Sequence, residues 1–128
     1  MSHSEPRINT FIAGADLSAR QYSFVKFGAN NLTVALCEAN ERSIGILQNA
    51  PIAGGAAEVA LPGGGAYLKI GAAVQLGRML TSNATGLGTV ADAANEWCGA
   101  LAYQDGAEND VIAVEVTATK TSNTDVPA

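Results

Sequence analysis

Val25-Lys26-Phe27-Gly28, Ala39-Asn40-Glu41, Gly45-Ile46-Leu47, the turn Ala53-Gly54-Gly55 and Val59-Ala60-Leu61 form a succession that the chain states twice. The second statement runs Val74-Gln75-Leu76-Gly77, Ala94-Asn95-Glu96, Gly99-Ala100-Leu101, the turn Asp105-Gly106-Ala107 and Val114-Glu115-Val116. Alternating apolar residues and turn residues recur, and no acid, base or nucleophile recurs with its partners. The pattern predicts a duplicated β scaffold, with an internal repeat over residues 25–61 and 74–116, rather than a catalytic constellation.

Outward from the repeat, short segments rich in Val, Ile, Leu and Tyr alternate with Gly, Asn, Asp and Pro. Strands are expected at 22–27, 32–37, 43–48, 57–61, 66–70, 72–76, 97–103 and 110–118, with 78–82 a short addition. The strongest helix signal, Asp92-Ala93-Ala94-Asn95-Glu96, is only one turn long. The expected fold is all-β: a small sandwich or barrel built from two similar β units. Because side chains alternate along a strand, the paired positions Val25/Val74, Phe27/Leu76, Val59/Val114 and Leu61/Val116 are the expected core face. Gly45 and Gly99, inside strands, mark a bulge or a close backbone approach in each half. Pro62-Gly63-Gly64-Gly65 joins the two units.

The chain of 128 residues fits one domain, and a domain of that size buries about two-thirds of the surface its unfolded chain exposes. The division expected is an N-terminal arm at 1–16, a β domain at 17–118 and a flexible polar tail at 119–128. Ile8, Phe11 and Ile12 are costly to leave in water, so the arm either caps its own domain or reaches into a neighbour. Tyr22 and Phe24 point away from the expected core face, beside Lys26, while the other copy has Ala73 and Gln75 there. That face is either a contact surface or is covered by the arm or by the other sheet.

Charge and composition exclude several functions. Twelve carboxylates against seven Lys and Arg leave a net charge of −5, and the cations are scattered singly, so no footprint for a phosphate backbone exists and nucleic acid is not an expected partner. The sequence has neither an apolar run of bilayer length nor a signal peptide, which predicts no membrane partner and synthesis in a cytoplasm. Cys37 and Cys98 lie in apolar strand-like runs in different copies and are expected to be free, buried thiols.

Candidate chemistry is sparse. The single histidine, His3, stands in the expected arm, so a Ser-His-Asp or Cys-His arrangement has no base in the folded body, and a zinc site of the usual Cys and His count is excluded. Gly86-Leu87-Gly88-Thr89-Val90-Ala91 has the spacing of a dinucleotide fingerprint but no βαβ unit around it, so it reads as a turn. Asp105, Glu108 and Asp110 lack calcium-loop spacing and read as a solvated hairpin loop. No enzyme, cofactor or metal is expected.

Taken together, Ala19-Arg20-Gln21-Tyr22-Ser23-Phe24-Val25-Lys26-Phe27, Ser43-Ile44-Gly45-Ile46-Leu47-Gln48-Asn49-Ala50 with Gly54-Gly55, and Gly71-Ala72-Ala73-Val74-Gln75-Leu76-Gly77 with Gly99-Ala100-Leu101-Ala102 resemble the head decoration, or capsid cement, proteins of tailed bacteriophages. The resemblance covers residues 19–116. It implies a non-enzymatic virion protein on the outer surface of the phage capsid, made in the host cytoplasm, with the major capsid protein as partner and a homo-oligomer, a trimer in the first instance, as its state. Under that reading Ile8, Phe11, Ile12, Tyr22, Phe24 and Lys26 are the candidate capsid or subunit contacts. A phage tail or tail-tube component is the alternative, and a carbohydrate-binding module relying on Trp97 is a weaker one.

Overall fold

The computed structural model describes residues 7–93 and 95–120, the last by its backbone alone. Its strands are β1 (Ile8–Ala13), β2 (Phe24–Phe27), β3 (Thr33–Leu36), β4 (Gly45–Leu47), β5 (Ala56–Ala60), β6 (Gly65–Lys69), β7 (Met79–Ser82), β8 (Gly88–Val90), β9 (Trp97–Ala102) and β10 (Val111–Lys120). The fold is all-β, as expected. β1-β3-β2-β4-β5 form a closed barrel, and β6-β10-β9-β7-β8 form a second five-stranded sheet.

The duplication extends further than the sequence suggests, and its first segment has a different register. Val25 pairs with Gly45 and Leu36 in the barrel, as Leu80 pairs with Ala100 and Val90 in the second sheet. Leu47 faces Val59 as Ala102 faces Val114. The counterpart of β2 is therefore β7. Residues 72–76 form no strand, and Val74 makes only an isolated bridge to Gly106. The counterpart of β6 is β1, so both units comprise five strands of the same connectivity. Cys98 accordingly answers to Ser43, one residue from the position that aligning Gly45 with Gly99 suggests.

Turn chemistry confirms this register independently. Left-handed backbone recurs in pairs, at Tyr22 and Gly77, Leu32 and Gly86, Asn40 and Asn95, and Gly54 and Asn109. The Glu of each Ala-Asn-Glu motif closes its own loop: Glu41 Oε1 accepts the Glu38 N–H at 2.7 Å, and Glu96 Oε1 accepts the Ala93 N–H at 2.8 Å. The repeated motif is thus a turn in which Asn tolerates positive φ and the carboxylate satisfies a loop donor.

One core fills the barrel: Ala13, Leu17, Val25, Val34, Leu47, Ala57 and Val59. A second core occupies the counterpart positions Ile70, Val74, Leu80, Ala102, Ile112 and Val114, and continues into Phe24, Cys37, Ile46 and Ala60 on the outside of the barrel. This continuation welds the two units. Two positions expected in the core are not there, since Phe27 and Leu76 are each 64% exposed. Phe27 ends β2 at the barrel rim, and Leu76 lies in a loop.

The barrel also seals the second sheet. Its terminal strands β6 and β8 are joined only by the parallel bridge Ile70–Gly88, and the freed backbone groups pair with the start of β2. Lys69 N–H donates to Tyr22 C=O at 2.8 Å, and Phe24 N–H donates to Gly86 C=O at 2.8 Å. Open strand edges that invite pairing with other chains are thereby covered.

The segment expected as an N-terminal arm is, over Ile8–Ala13, a barrel strand: β1 pairs parallel with β3 and antiparallel with β5. Removing residues 1–16 would open the barrel. At the other end, Thr119 and Lys120 belong to β10 and pair with Cys98 and Trp97, whereas residues 121–128 of the expected tail, like His3, lie outside the described residues.

Candidate functional site

The six candidate contacts do not form one patch. Phe24 is 1% exposed, its ring lying where a Cβ on Gly99 would stand, so it is covered by the second sheet and joins the units. Lys26 is half-buried and bonded to Glu41 at 2.7 Å; each partner favours the other's charged form, which raises the lysine pKa and lowers the carboxyl pKa. Phe11 packs against the barrel core and meets the edge of the Phe27 ring, with centroids 6.2 Å apart. Ile8 and Ile12 remain exposed, at 40% and 43%.

Tyr22 stands at the seam between the units. Its ring meets Tyr67 edge-on at 6.3 Å, and Tyr67 is half exposed. The Tyr22 backbone has φ 69°, where the second unit has Gly77 at 88°. A bulky residue in this conformation costs about 1–2 kcal/mol, and such strain concentrates at functional positions. Leu32, at φ 61° against Gly86, is held in the same way and is exposed.

Around Phe27 the barrel mouth opens into a cleft of about 490 Å³, lined by Phe27, Arg42, Ser43, Ile44, Leu61, Pro62 and Ala118. Arg42 is the only ionisable side chain in this lining, and its guanidinium lies 5.2 Å from the centroid of the Trp97 ring. Sequence reasoning assigned Phe27 to the core and passed over Leu32 and Tyr67. The signal lay in aligning Leu32 with Gly86, which exposes a large residue at a glycine position.

The remaining polar candidates serve the scaffold. Asp105 Oδ1 accepts the Leu76 N–H at 2.7 Å and Asp110 Oδ2 the Ala107 N–H at 2.9 Å. Gly86 and Gly88 flank the start of β8, which leads into a turn and β9. Among the described residues no three His, Cys, Asp or Glu are grouped as metal ligands.

Cys37 and Cys98 are both buried and form no disulfide. Burial pushes the Cys37 thiol up to about 12 from an ordinary value of 9.0. The stability that follows from holding it neutral is complete below pH 9.0, where the unfolded thiol is also protonated, and is lost as pH rises towards about 12. At pH 8 an excess of thiol reagent is expected to label Cys37 only as fast as the protein opens. Mass spectrometry of timed samples checks this, and labelling at the rate of an exposed thiol would contradict it.

No protein-family model and no curated protein matches the chain. Solved structures do. The fold is similar to that of the N base of head fiber gp8.5 in bacteriophage phi29, with a TM-score of 0.71 at 14% identity, covering 89% of this chain and 96% of that one.

Proposed function

We propose that this protein is a non-enzymatic structural component of a phage virion, mounted on the outer surface of the head and bound to the major capsid protein as a homo-oligomer, a trimer in the first instance. The observation that carries the reading is the fold shared with a phage head fiber base over nearly the whole length of both chains. The resemblance of residues 19–116 to capsid decoration proteins adds to it. Because the similar structure is the base of a fiber, seating on the head is the part of the reading best supported, with reinforcement of the shell as its consequence.

A protein in this role must recognise a surface that only the assembled shell presents. Tyr22 and Tyr67, with Ile8, are the proposed contacts: amphipathic rings bury large area while leaving a hydroxyl for polar partners. The purified protein should co-sediment with expanded capsids and less with unexpanded ones, and failure to sediment with either sinks the reading. Tyr22→Gly, which copies the second unit, should leave thermal stability unchanged or raise it by about 1 kcal/mol through relief of strain. Capsid occupancy should nevertheless fall about tenfold, the loss of a modest hot spot. Unchanged occupancy in a sedimentation titration would remove Tyr22 from the contact.

A further inference from the structure

The same face is treated differently in the two units. In the second unit, the rim positions Ser82, Gly86, Gly99 and Val116 are all buried. The first barrel contributes to this cover directly, through the Phe24 N–H on the Gly86 carbonyl and the Phe24 ring against Gly99. By the strand pairing, their counterparts in the first barrel are Phe27, Leu32, Ile44 and Leu61. These form the open mouth, with Phe27 at 64% and Leu32 at 67% exposure.

The complementary surface is also duplicated. The first barrel covers the second unit with Phe24 and Ile46 on its outside and with Leu36, which packs on the barrel core and reaches Gly86; their counterparts are Met79, Leu101 and Val90, each only partly buried, Val90 against the second core. A polar clasp accompanies this packing: Asn40 N–H donates to Ser82 C=O at 3.0 Å, and Asn40 Oδ1 accepts the Trp97 N–H at 3.1 Å. Its counterpart, Asn95, has the same left-handed backbone, with φ 64° against 56°, and is exposed.

We infer that the barrel mouth of one copy receives the second unit of another copy, head to tail, in an arrangement that repeats the packing between the two units within one chain. Phe27, Leu32 and Leu61 meet Met79, Val90 and Leu101 of the next copy, and Asn95 takes the part that Asn40 plays internally. The occupant is a second copy because the chain already displays the complementary face and its clasp. One difference follows from closure of the barrel: the Ile12 N–H is already given to Leu32 C=O at 2.8 Å. The contact between copies is therefore made chiefly by side chains and is weaker than the internal one. Such a heterologous contact closes into a ring or propagates, according to the rotation between copies.

Sedimentation velocity of the full chain over a range of concentrations tests this. The native protein should associate, while Phe27→Glu and Leu101→Glu should each be folded monomers by circular dichroism. Mixing these two variants should restore a one-to-one dimer and nothing larger, since one supplies an intact second-unit face and the other an intact mouth. Asn95→Gly, which keeps the left-handed turn, should weaken association about fivefold, the worth of roughly one hydrogen bond, and covers the case in which Leu101→Glu fails to fold. A native protein that stays monomeric, a Phe27→Glu variant that assembles as the native protein does, a mixture of folded variants that stays monomeric, or an Asn95→Gly variant of native affinity would each overturn the inference. The inference is independent of capsid binding: a monomer that still sediments with capsids would refute it, and with it the proposed homo-oligomer, but leave the proposed seat on the phage head standing.

Discussion

Replacing Phe24 by Ala is expected to destabilise the protein by about 3–5 kcal/mol, the range for a fully buried aromatic. The ring lies in the core that continues from the second unit onto the outside of the barrel, beside Cys37, Ile46 and Ala60. Gly99 has no side chain there because a Cβ would come within 2.5 Å of the ring. Loss of the ring leaves a cavity between two β units rather than inside one, and the second unit suffers more. It depends on Tyr22 C=O and Phe24 N–H to satisfy Lys69 and Gly86 at its terminal strands, and loosening the weld leaves those groups unpaired. Urea unfolding followed by tryptophan fluorescence reports this directly, because Trp97 is in β9 of the second unit. The midpoint should fall steeply. A loss below about 1 kcal/mol would mean that the two units hold together without this side chain.

Gly45→Ala is expected to cost about 3 kcal/mol, at the upper end of overpacking penalties. The added Cβ would collide with the Ala60 carbonyl oxygen and come within 2.7 Å of Val59 Cγ1. Both belong to β5, which pairs with β4 through Ile46–Ala60 and Leu47–Val59. A backbone carbonyl held in a ladder cannot turn aside as a flexible side chain can, so β4 must be forced from β5 and the barrel opened. Gly54→Ala is the control. That residue has open space for a Cβ but φ 80°, so only conformational strain of about 1 kcal/mol is expected. Equal losses in thermal unfolding of the two variants would contradict the close-approach argument at Gly45.

Much of the scaffold was legible because its signals are local. Eight of the ten strands among the described residues lie within or beside expected segments, since β-branched residues between turn formers mark strands whatever packs on them. Downstream, Ala39-Asn40-Glu41 with Ala94-Asn95-Glu96 and Val59-Ala60-Leu61 with Val114-Glu115-Val116 are in true register, the first because its positive-φ turn demands particular residues, whereas Gly45 answers to Ala100, one residue beyond Gly99. The upstream part slipped. Val25-Lys26-Phe27-Gly28 and Val74-Gln75-Leu76-Gly77 look alike, yet Val74 fills the place of Leu17, and β2 is matched by Met79–Ser82, an expected strand whose Thr and Ser hide its likeness to β2.

The candidate site was less legible. Ile8 and Ile12 were singled out, but as part of an arm, because a short polar-flanked segment at a chain end carries no mark of the two strands that flank it in space. Phe24 stood out as an aromatic on an outer face, and alternation placed it correctly opposite Val25. Alternation cannot say whether that face meets water or a second sheet. Phe27 shows the converse error: its place in a strand was right, but the strand ends at a rim, where the inward side of a barrel opens to solvent.

The sequence by itself determined a duplicated, all-β chain without a recognisable catalytic set, because strand propensity, turn chemistry and composition are properties of a few neighbouring residues. Only the tertiary structure decided that one unit closes as a barrel while the other is completed by it, which face each aromatic presents, and that the mouth covered in one unit is open in its sister. Those outcomes depend on pairing between residues distant in the chain, where each backbone donor and apolar face takes the partner that the whole fold brings within reach.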